Sequence, residues 1–474
     1  MRPRKLSELA ELMHPAQAEI FGDDVSVGPD VVLDNRLATA GALFLAIPGE
    51  RVDGHEYASS AVSAGAVAVM GNHPTDAEAS HLLVEDTVAG LSALARGLVR
   101  EARQRGLVSI GITGSSGKTS TKDLLATVLE AAGPTVAPAG SQNNEIGVPL
   151  TACRIDDETS HLVSEMGARG VGHIAWLTSL VPLDVAVVLN VGHAHVGEFG
   201  GIEQTARAKS ELVAGLDATS WAVLNADDPR VAGMCELTQA RLAWFGEGEL
   251  PAGDLQVGAR AVAMGAFSQP RFDLVVVRDG HEQSVPVQLK LVGRHQVSNA
   301  LAAAAAAIAV GVPLENVAAA LGTAEPRSSW RMELHPRHDG VLVLNDSYNA
   351  NPDSMAAALR TAVELAAVQR AEHPDARVVA VLGDMLELGP LAAEAHEAIG
   401  RLAGDLGVTE LLAVGEFSAQ LCDGARRAGV QAAECRRDDI AAQLELHAGD
   451  VVLVKGSRGV GLEAVAAALM EDIA

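Results

Sequence analysis

The sequence predicts an α/β fold in three domains, and three observations support this prediction. A chain of 474 residues is too long for one ordinary hydrophobic core. An apolar run that ends at Ile110 is followed by a Gly-rich loop and by a helical pattern from Thr121 to Ala132. From about residue 326, strand patterns alternate with helical ones, which is typical of a doubly wound parallel sheet. We therefore expect domains at 1–104, 105–325 and 326–474, the last one Rossmann-like.

The first unit shows short strands and helices without a phosphate loop or a catalytic cluster. Helices are expected at Leu6–Leu12 and Tyr57–Ala64, and strands at Ala42–Ile47, Ala66–Met70 and Leu82–Val84. A polar, Gly-bearing loop, Gly49–His55, follows the first of these strands. Pattern alone leaves a structural accessory domain and a binding domain equally open.

The segment from Gly111 to Ser120 has the strand, loop and helix context of a phosphate-binding loop. Glycines let successive backbone N–H groups point inward, and the helix N-terminus adds partial positive charge. Lys118 can then reach the β- and γ-phosphates, and the Thr119 hydroxyl can ligate Mg²⁺. Ile112 occupies the first glycine position of the usual spacing, so a tight turn without a ligand is the alternative. We expect a central sheet of the P-loop ATPase type that binds a nucleoside triphosphate through Gly114, Ser115, Ser116, Gly117, Lys118, Thr119 and Ser120.

Further apolar runs of the central unit end in polar residues, at Leu162–Glu165, Val185–Asn190 and Trp221–Asn225. Ligands of open α/β sheets lie beyond the carboxyl ends of the strands, so Glu165 is a candidate Mg²⁺ ligand. The alternative for Glu165 is an ordinary solvated carboxylate at a strand end. His193 and His195 follow the second strand and suggest a transition-metal pair. No third ligand of matching type is near, so contact of one histidine with the phosphate or Mg²⁺ region is favoured.

Helical patterns complete the central unit. The first, Ala206–Leu216, carries Lys209, which by pattern alone is a surface lysine. Polar residues that include His295 and Asn299 open an Ala-rich helix, and they could serve a nucleotide base or cap the helix. A short helix at Leu314–Leu321 leads to the last unit.

The last unit alternates strands and helices. Strands are expected at Val341–Leu344, Val378–Leu382, Leu411–Val414 and Val451–Val454, and helices at Ala356–Arg370, Leu391–Ala403, Ala419–Ala428 and the C-terminus. Gly456–Gly461 resembles a dinucleotide fingerprint only loosely, because its order is G-x-x-G-x-G and it follows the last strand. We therefore reject a nicotinamide cofactor.

Composition and charge argue against several partner classes. The net charge of −26 disfavours nucleic acid or an anionic membrane surface, and an anionic substrate must be held by local cations. The four cysteines lack C-x-x-C pairing, so neither a disulfide framework nor a zinc site is expected. No signal-peptide run follows the basic N-terminus, and Ala300–Val310 is too short to span a bilayer. We expect a cytoplasmic protein.

Several of these segments together resemble the Mur ligase family. The central unit carries Thr113–Thr119, Asn143–Pro149, Glu165, Asn190 with His195, Ala208–Glu211, and Gly293 with His295 and Asn299. The C-terminal unit carries Asn345–Pro352, Leu382–Gly389 with His396, and Val454–Arg458, which are similar to the member that adds D-alanyl-D-alanine. Asp34–Arg36 and the segment from Leu43 to His55 are similar to the family's N-terminal domain. Asn35 and Asn345 depart from the family pattern, which usually has Ser and Asp there.

The resemblance implies a three-domain, ATP-dependent amide ligase. Such an enzyme would join UDP-N-acetylmuramoyl-tripeptide to D-alanyl-D-alanine through an acyl phosphate, giving a peptidoglycan precursor, ADP and phosphate. Its N-terminal α/β domain would bind the nucleotide sugar, and we expect a monomer with neither nucleic acid nor a membrane as partner. Rival interpretations are the ligase that adds the third amino acid, a folylpolyglutamate synthetase, and a nucleotide-dependent switch protein.

The resemblance also implies roles for single residues. The catalytic residues would be Lys118, Glu165, His195 and Lys209, and the Mg²⁺ ligands Thr119, Glu165, His195 and Lys209. ATP would further contact His295 and Asn299 at the adenine, and Arg331 and Asp346 at phosphate and ribose. The substrates would contact Asn35, Arg36, Asp53, His55, Tyr348, Asn349 and Asn351. Lys209 would carry a carbamate formed with CO₂ (an N6-carboxylysine), which requires a neutral amine and therefore a lowered pKa.

Overall fold

A computed structural model describes residues 1–49, 52–192 and 201–471. Three sheets of five or more strands, each flanked by helices, form the body of the chain, so the predicted α/β class is confirmed. In these described ranges, no helix combines the length and the apolar character needed to cross a membrane.

The N-terminal unit contains a five-stranded sheet and a separate two-stranded ribbon. Its strands are β1 (Arg4–Lys5), β2 (Ala18–Phe21), β3 (Ser26–Val27), β4 (Val31–Val32), β5 (Leu43–Leu45), β6 (Ala68–Gly71) and β7 (Ser80–Val84). The sheet order is β2-β7-β6-β5-β4, and β1 pairs with β3. The helices are α1 (Leu6–Leu12), α2 (Ala58–Ala64) and α3 (Thr87–Gln104). The long helix α3, which pattern analysis did not predict, packs its Gly97 directly against the Leu12 carbonyl of α1.

The central sheet has nine strands in the order β16-β15-β14-β13-β12-β11-β8-β10-β9. Their bounds are β8 (Val108–Thr113), β9 (Thr135–Val136), β10 (His161–Glu165), β11 (Val185–Val188), β12 (Trp221–Asn225), β13 (Arg241–Gly246), β14 (Leu255–Met264), β15 (Pro270–Arg278) and β16 (His281–Gln288). Neighbours from β9 to β14 pair in parallel, whereas β14, β15 and β16 are antiparallel. This three-stranded extension was not predicted.

Helices cover both faces of the central sheet. They are α4 (Lys118–Glu130), α5 (Gly147–Ala152), α6 (His173–Leu180), α7 (Ile202–Ala214), α8 (Pro229–Ala232), α9 (Gln296–Ala309) and α10 (Leu314–Thr323). The predicted start of α4 at Thr121 is wrong, because the helix begins at Lys118, directly after the loop. Alanines of α9 are completely buried, and their small side chains let this helix lie close to both α4 and the sheet.

The C-terminal sheet has the order β17-β18-β22-β19-β20-β21. Its strands are β17 (Glu333–Pro336), β18 (Leu342–Asp346), β19 (Val378–Gly383), β20 (Glu410–Val414), β21 (Gln431–Glu434) and β22 (Val451–Lys455). The helices are α11 (Pro352–Gln369), α12 (Ala392–Asp405), α13 (Ser418–Arg427), α14 (Ile440–Gln443) and α15 (Glu463–Met470). All neighbours from β18 to β21 pair in parallel, as predicted, and only the edge strand β17 is antiparallel.

Candidate functional site

The carboxyl ends of strands from the central and C-terminal sheets face one cleft. The cleft contains a cavity of about 460 Å³ to which both sheets contribute side chains. Residues predicted from the sequence make up much of its lining: Ser115, Ser116, Gly117, Lys118, Thr119, Ser120, Glu165, His295, Asn299, Arg331, Asp346, Tyr348, Asn349 and Asn351. The fold therefore brings together residues that lie more than two hundred positions apart in the chain.

The phosphate loop connects β8 to α4. Gly117 adopts a left-handed conformation with φ +82° and caps α4 at its N-terminus. The Lys118 ammonium donates to the Gly114 carbonyl at 2.7 Å. Burial, the largest influence, lowers the pKa of Lys118; the Glu165 carboxylate opposes this change and Arg331 adds to it. An anion that enters the cleft would therefore stabilise the charged form of Lys118.

Asn190, two residues beyond β11, holds the phosphate loop through hydrogen bonds. Its Oδ1 accepts hydrogen bonds from the backbone N–H groups of Ser115 and Ser116, both at 2.9 Å. Its Nδ2 donates to the Ser116 carbonyl at 3.2 Å. These bonds hold the first half of the loop in place before any ligand binds. The loop is therefore preorganised for an anion.

Thr119 and Glu165 form the oxygen-rich side of the cavity. The Thr119 hydroxyl lies 3.0 Å from Glu165 Oε2 and 2.7 Å from Ser141 Oγ, while Asn143 Nδ2 donates to Glu165 Oε1 at 2.8 Å. Glu165 is buried, so the solvated strand-end interpretation is wrong. A buried carboxylate beside a hydroxyl matches the hard oxygen donors that Mg²⁺ prefers. The residues present therefore fit this ion.

Lys209, on α7, is buried with 4% of its surface exposed, so the prediction of a surface lysine is wrong. Burial, the larger influence, and the nearby charge of Lys118 hold the pKa of Lys209 well below its usual value. A neutral amine at physiological pH is what carbamate formation needs. His193 and His195 lie outside the described residues.

Asn299 and His295 mark the start of α9 at the opposite side of the loop. Asn299 Oδ1 accepts from the Thr121 hydroxyl at 3.3 Å, and its Nδ2 donates to Gln296 Oε1 at 2.9 Å. A Cβ on Gly117 would lie 2.5 Å from Asn299 Oδ1, so only glycine fits there. Burial is the main cause that lowers the pKa of His295, and it favours the neutral form of the ring.

Arg331 connects the C-terminal unit to the phosphate loop. Its Nη2 donates to Thr119 Oγ1 at 3.2 Å and to Ser141 Oγ at 3.0 Å. The guanidinium also lies over the ring of Tyr348, 4.1 Å from the ring centre. Arg331 and Lys118 thus place two cations around the oxygen-rich side, where the average charge of the protein would otherwise repel an anion.

The loop after β18 supplies the remaining C-terminal residues. Asp346 Oδ2 accepts from the Lys455 ammonium at 2.5 Å, and the Asn349 carbonyl accepts from the same group at 2.8 Å. Asn351 caps α11, and its Nδ2 lies 3.4 Å from Ser116 Oγ on the phosphate loop. Each sheet therefore contacts the other through polar side chains at the cavity.

Several residues of the cavity were not among the predicted site residues. They are Ser141, Asn143, Asn190, Ser298, Met332, Asp353, Ser354, Ala357 and Lys455. Asn143, Asn190 and Lys455 lie within the segments that resemble the Mur ligases, and this was the available signal. Asp353 lies outside these segments, so nothing in the sequence indicated its place in the site. That place depends on how the central and C-terminal units pack together.

The predicted substrate residues of the N-terminal unit do not line this cavity. Asn35 and Arg36 lie in a short 3₁₀ turn, where the exposed Arg36 pairs with Asp34 at 2.6 Å and lowers the Asp34 pKa to about 2. Asp53 Oδ1 lies 2.6 Å from Nδ1 of the buried His55. These residues form local turns of the first sheet, so their predicted role stays a prediction.

Comparison with family models places every unit of the chain in one family. Residues 31–107 match the model described as Mur ligase family, catalytic domain. Residues 112–307 match the Mur ligase middle domain, and residues 330–458 match the model described as Mur ligase, glutamate ligase domain. Together these matches cover most of the chain.

Individual proteins give the same result. The UDP-N-acetylmuramoyl-tripeptide--D-alanyl-D-alanine ligase of Mycobacterium tuberculosis is 42% identical, with 98% of each chain covered. The protein of that name from Escherichia coli is 34% identical over 98% of each chain. A crystal structure of MurF from Acinetobacter baumannii superimposes with a TM-score of 0.84 at 30% identity over 100% of both chains. MurF from Thermotoga maritima, solved in complex with ADP, matches at a TM-score of 0.72 and 26% identity, covering 94% of this chain and 97% of that one. The predicted three-domain architecture is thereby confirmed, and the chain belongs to the Mur ligase family.

Proposed function

We propose that this protein is the ATP-dependent ligase that adds D-alanyl-D-alanine to UDP-N-acetylmuramoyl-tripeptide. The observation that carries the proposal is the cavity in which Lys118 and Arg331 flank the Thr119–Glu165 pair. Relatives that carry the name of this activity match the chain over almost its full length, which supports the same substrates here. The products are the UDP-linked pentapeptide precursor of peptidoglycan, ADP and phosphate.

The reaction begins with activation of a poor electrophile. The terminal carboxylate of the tripeptide attacks the γ-phosphorus of ATP, and ADP leaves, so that an acyl phosphate forms. The dipeptide amine then attacks the acyl carbon, loses a proton, and the tetrahedral intermediate expels phosphate. The first step brings two anions together, and Lys118 and Arg331 offset that repulsion and the charge that develops on the phosphate.

ATP binding follows from the two sides of the cleft. The phosphate loop amides, with Lys118, would hold the phosphates, and Asn299 and His295 would meet the adenine. Arg331 and Asp346 would approach from the C-terminal sheet. The match to a homologous structure with ADP supports a nucleotide in this fold. Thr119 and Glu165 would hold Mg²⁺, which supplies positive charge to the phosphate oxygens when bound.

Lys209 is proposed to react with CO₂ to form a carbamate. The support is its burial and its lowered pKa, which together give the uncharged amine that attacks CO₂. A carbamate on Lys209 would be an oxygen ligand for a second Mg²⁺, with His195 assisting near the metal. Growth with carbon-13-labelled bicarbonate followed by NMR tests this, since an N6-carboxylysine gives a carbonyl signal that Lys209→Arg lacks.

Each of the three units, with the predicted boundaries, would bind a different substrate. Residues 1–104 would bind the UDP moiety through Asn35, Arg36, Asp53 and His55. Residues 105–325 would bind ATP, and residues 326–474 would present the dipeptide through Tyr348, Asn349 and Asn351. We also propose that the enzyme works as a monomer in the cytoplasm, where its nucleotide substrates are made.

One experiment tests the proposed activity. The full chain is incubated with ATP, Mg²⁺, UDP-tripeptide and D-alanyl-D-alanine, and the pentapeptide product is sought by mass spectrometry. We expect product and phosphate release only when both UDP-tripeptide and dipeptide are present. A panel of single amino acids as acceptors separates this ligase from the one that adds the third residue. ATP turnover that ignores both substrates would instead indicate a nucleotide switch.

A further inference from the structure

Two bulky residues on either side of Arg331 have an unfavourable backbone conformation. Trp330 has φ +61° and Met332 has φ +52°. Residues other than glycine rarely adopt this left-handed backbone conformation. They keep it only when surrounding contacts determine the conformation. The linker between α10 and β17 must therefore be held in place from outside.

Hydrogen bonds from the C-terminal sheet hold this linker. The Met332 N–H donates to Asp346 Oδ1 at 3.1 Å, and the Tyr348 N–H donates to the Trp330 carbonyl at 3.2 Å. Asp346 is the last residue of β18, and Tyr348 follows it by two positions. The end of β18 and the loop after it therefore hydrogen-bond to the linker on both sides of Arg331.

Lys455 in turn holds the end of β18. It is the last residue of β22, in register with Asp346 on the neighbouring parallel strand. Its side chain is 1% exposed, and its ammonium donates both to Asp346 Oδ2 and to the Asn349 carbonyl. One Asp346 oxygen therefore faces Lys455 while the other faces the linker. Without Lys455, a buried carboxylate would lose its counter-charge.

We propose that Lys455 is a positioning residue that acts through Asp346. It fixes the carboxylate, the carboxylate fixes the strained linker, and the linker delivers the Arg331 guanidinium to the phosphate loop. This inference rests on the proposed function only in assigning Arg331 to the phosphates of the nucleotide. Lys455 transfers no proton and contacts no reacting atom in this role.

The test is a double-mutant cycle on nucleotide binding by the full chain. Lys455→Met, Arg331→Ala and the double variant are titrated by calorimetry with a non-hydrolysable ATP analogue and Mg²⁺. We expect each single change to weaken binding by about 10-fold to 100-fold, because each removes a charged hydrogen-bond partner. The double variant should be weaker than the worse single variant by no more than about twofold.

Lys290→Met is the matched control. Lys290 also pairs with a carboxylate, Glu325 at 2.7 Å, but both side chains are exposed and lie outside the cavity. It should bind the analogue like the unmodified protein. Multiplied losses in the double variant, or full affinity in a folded Lys455→Met protein, would overturn the proposal.

A second pair of variants covers the case in which Lys455→Met fails to fold. Asp346→Asn combined with Lys455→Met removes both charges but keeps an acceptor for Met332. Its affinity should match that of Asp346→Asn alone within about threefold, and a further tenfold loss would contradict action through Asp346. Binding is measured without ligation, so a chain that binds nucleotide but forms no pentapeptide refutes the proposed function and leaves this inference standing.

Discussion

The guanidinium of Arg331 stacks on the ring of Tyr348, with 4.1 Å between the guanidinium carbon and the ring centre. Stacking leaves Nη2 of Arg331 free to donate sideways to Thr119 and Ser141. The aromatic ring therefore orients a cation of the linker between α10 and β17 against a hydroxyl in the first turn of α4.

Because the ring makes this contact, activity should depend on the ring of Tyr348 and not on its hydroxyl. We expect Tyr348→Phe to keep kcat/KM within about threefold, and Tyr348→Ala to lower it roughly 3-fold to 30-fold, the range of a cation–π contact. Steady-state kinetics with varied ATP measure both. Equal losses in the two variants would show that the hydroxyl, and not the ring, is what matters.

Lys118→Ala should slow product formation strongly without unfolding the protein. Loss of one preorganised charge commonly lowers the rate by about 10²–10³. Burial disfavours the charged form of Lys118, which offsets the loss of its hydrogen bond to the Gly114 carbonyl, so the melting temperature should change little. Product assays and calorimetric melting test the two parts separately. Lys290→Ala is the control, and near-normal turnover by Lys118→Ala would remove the phosphate-loop assignment.

Asn351 should affect both stability and activity, because it caps α11 and contacts the phosphate loop. Its Oδ1 accepts from the Ser354 N–H at 2.9 Å, and loss of such a cap costs about 1 kcal/mol. The matched control is Asp86, which caps α3 by accepting from the Ala89 N–H at 2.7 Å and does not line the cavity. We expect Asn351→Ala and Asp86→Ala to be destabilised similarly in urea, and only Asn351→Ala to lose activity.

The free energy of unfolding should fall as the pH drops through the range in which histidine side chains take up a proton. His396 is one cause of this fall. This completely buried ring places Nδ1 2.6 Å from the Ala392 carbonyl and accepts from the Met385 N–H at Nε2, 2.8 Å away. Burial, opposed by Ala392 and Asp384, lowers its pKa. The unfolded chain therefore takes up the proton first, and stability is lost below the unfolded value of about pH 6.5.

His396→Gln tests this origin of the pH dependence. The variant should be less stable at pH 7.5, yet lose less further stability than the unmodified protein between pH 7.5 and pH 5.5. Melting curves across that range measure the difference, and the exposed His281→Gln is the control. An unchanged pH slope in His396→Gln would assign the effect to other histidines.

The phosphate loop could be predicted from sequence because its chemistry is local. Gly117, Lys118 and Thr119 are adjacent in the chain, and loop geometry follows directly from their order. The burial of Lys209 could not be predicted in this way, because it depends on how α7 packs. For the same reason, the pattern on α7 wrongly indicated a surface lysine.

The fold outside the motifs was predicted less completely. The alternating strands of the C-terminal sheet were recognised, since buried parallel strands form continuous apolar runs. Strands β14 and β16 were missed because most of their residues are half-buried or exposed, so that apolar residues are mixed with polar ones. Strand β15 was missed although it contains a largely buried apolar run, Leu274–Val277. Lys455 lies in a recognised segment, but its role appears only when β22 is placed beside β18.

The Ala-rich helix α9 restricts the size of the side chains that its positions accept. Residues 302–307 are six consecutive alanines with no exposed surface, on a helix that packs against both α4 and the central sheet. Their methyl groups let α9, which carries Asn299, lie close to α4, which begins directly after Gly117. A larger side chain there would push Asn299 away from Gly117 and the phosphate loop. A segment whose side chains carry no functional group therefore leaves little room for larger residues.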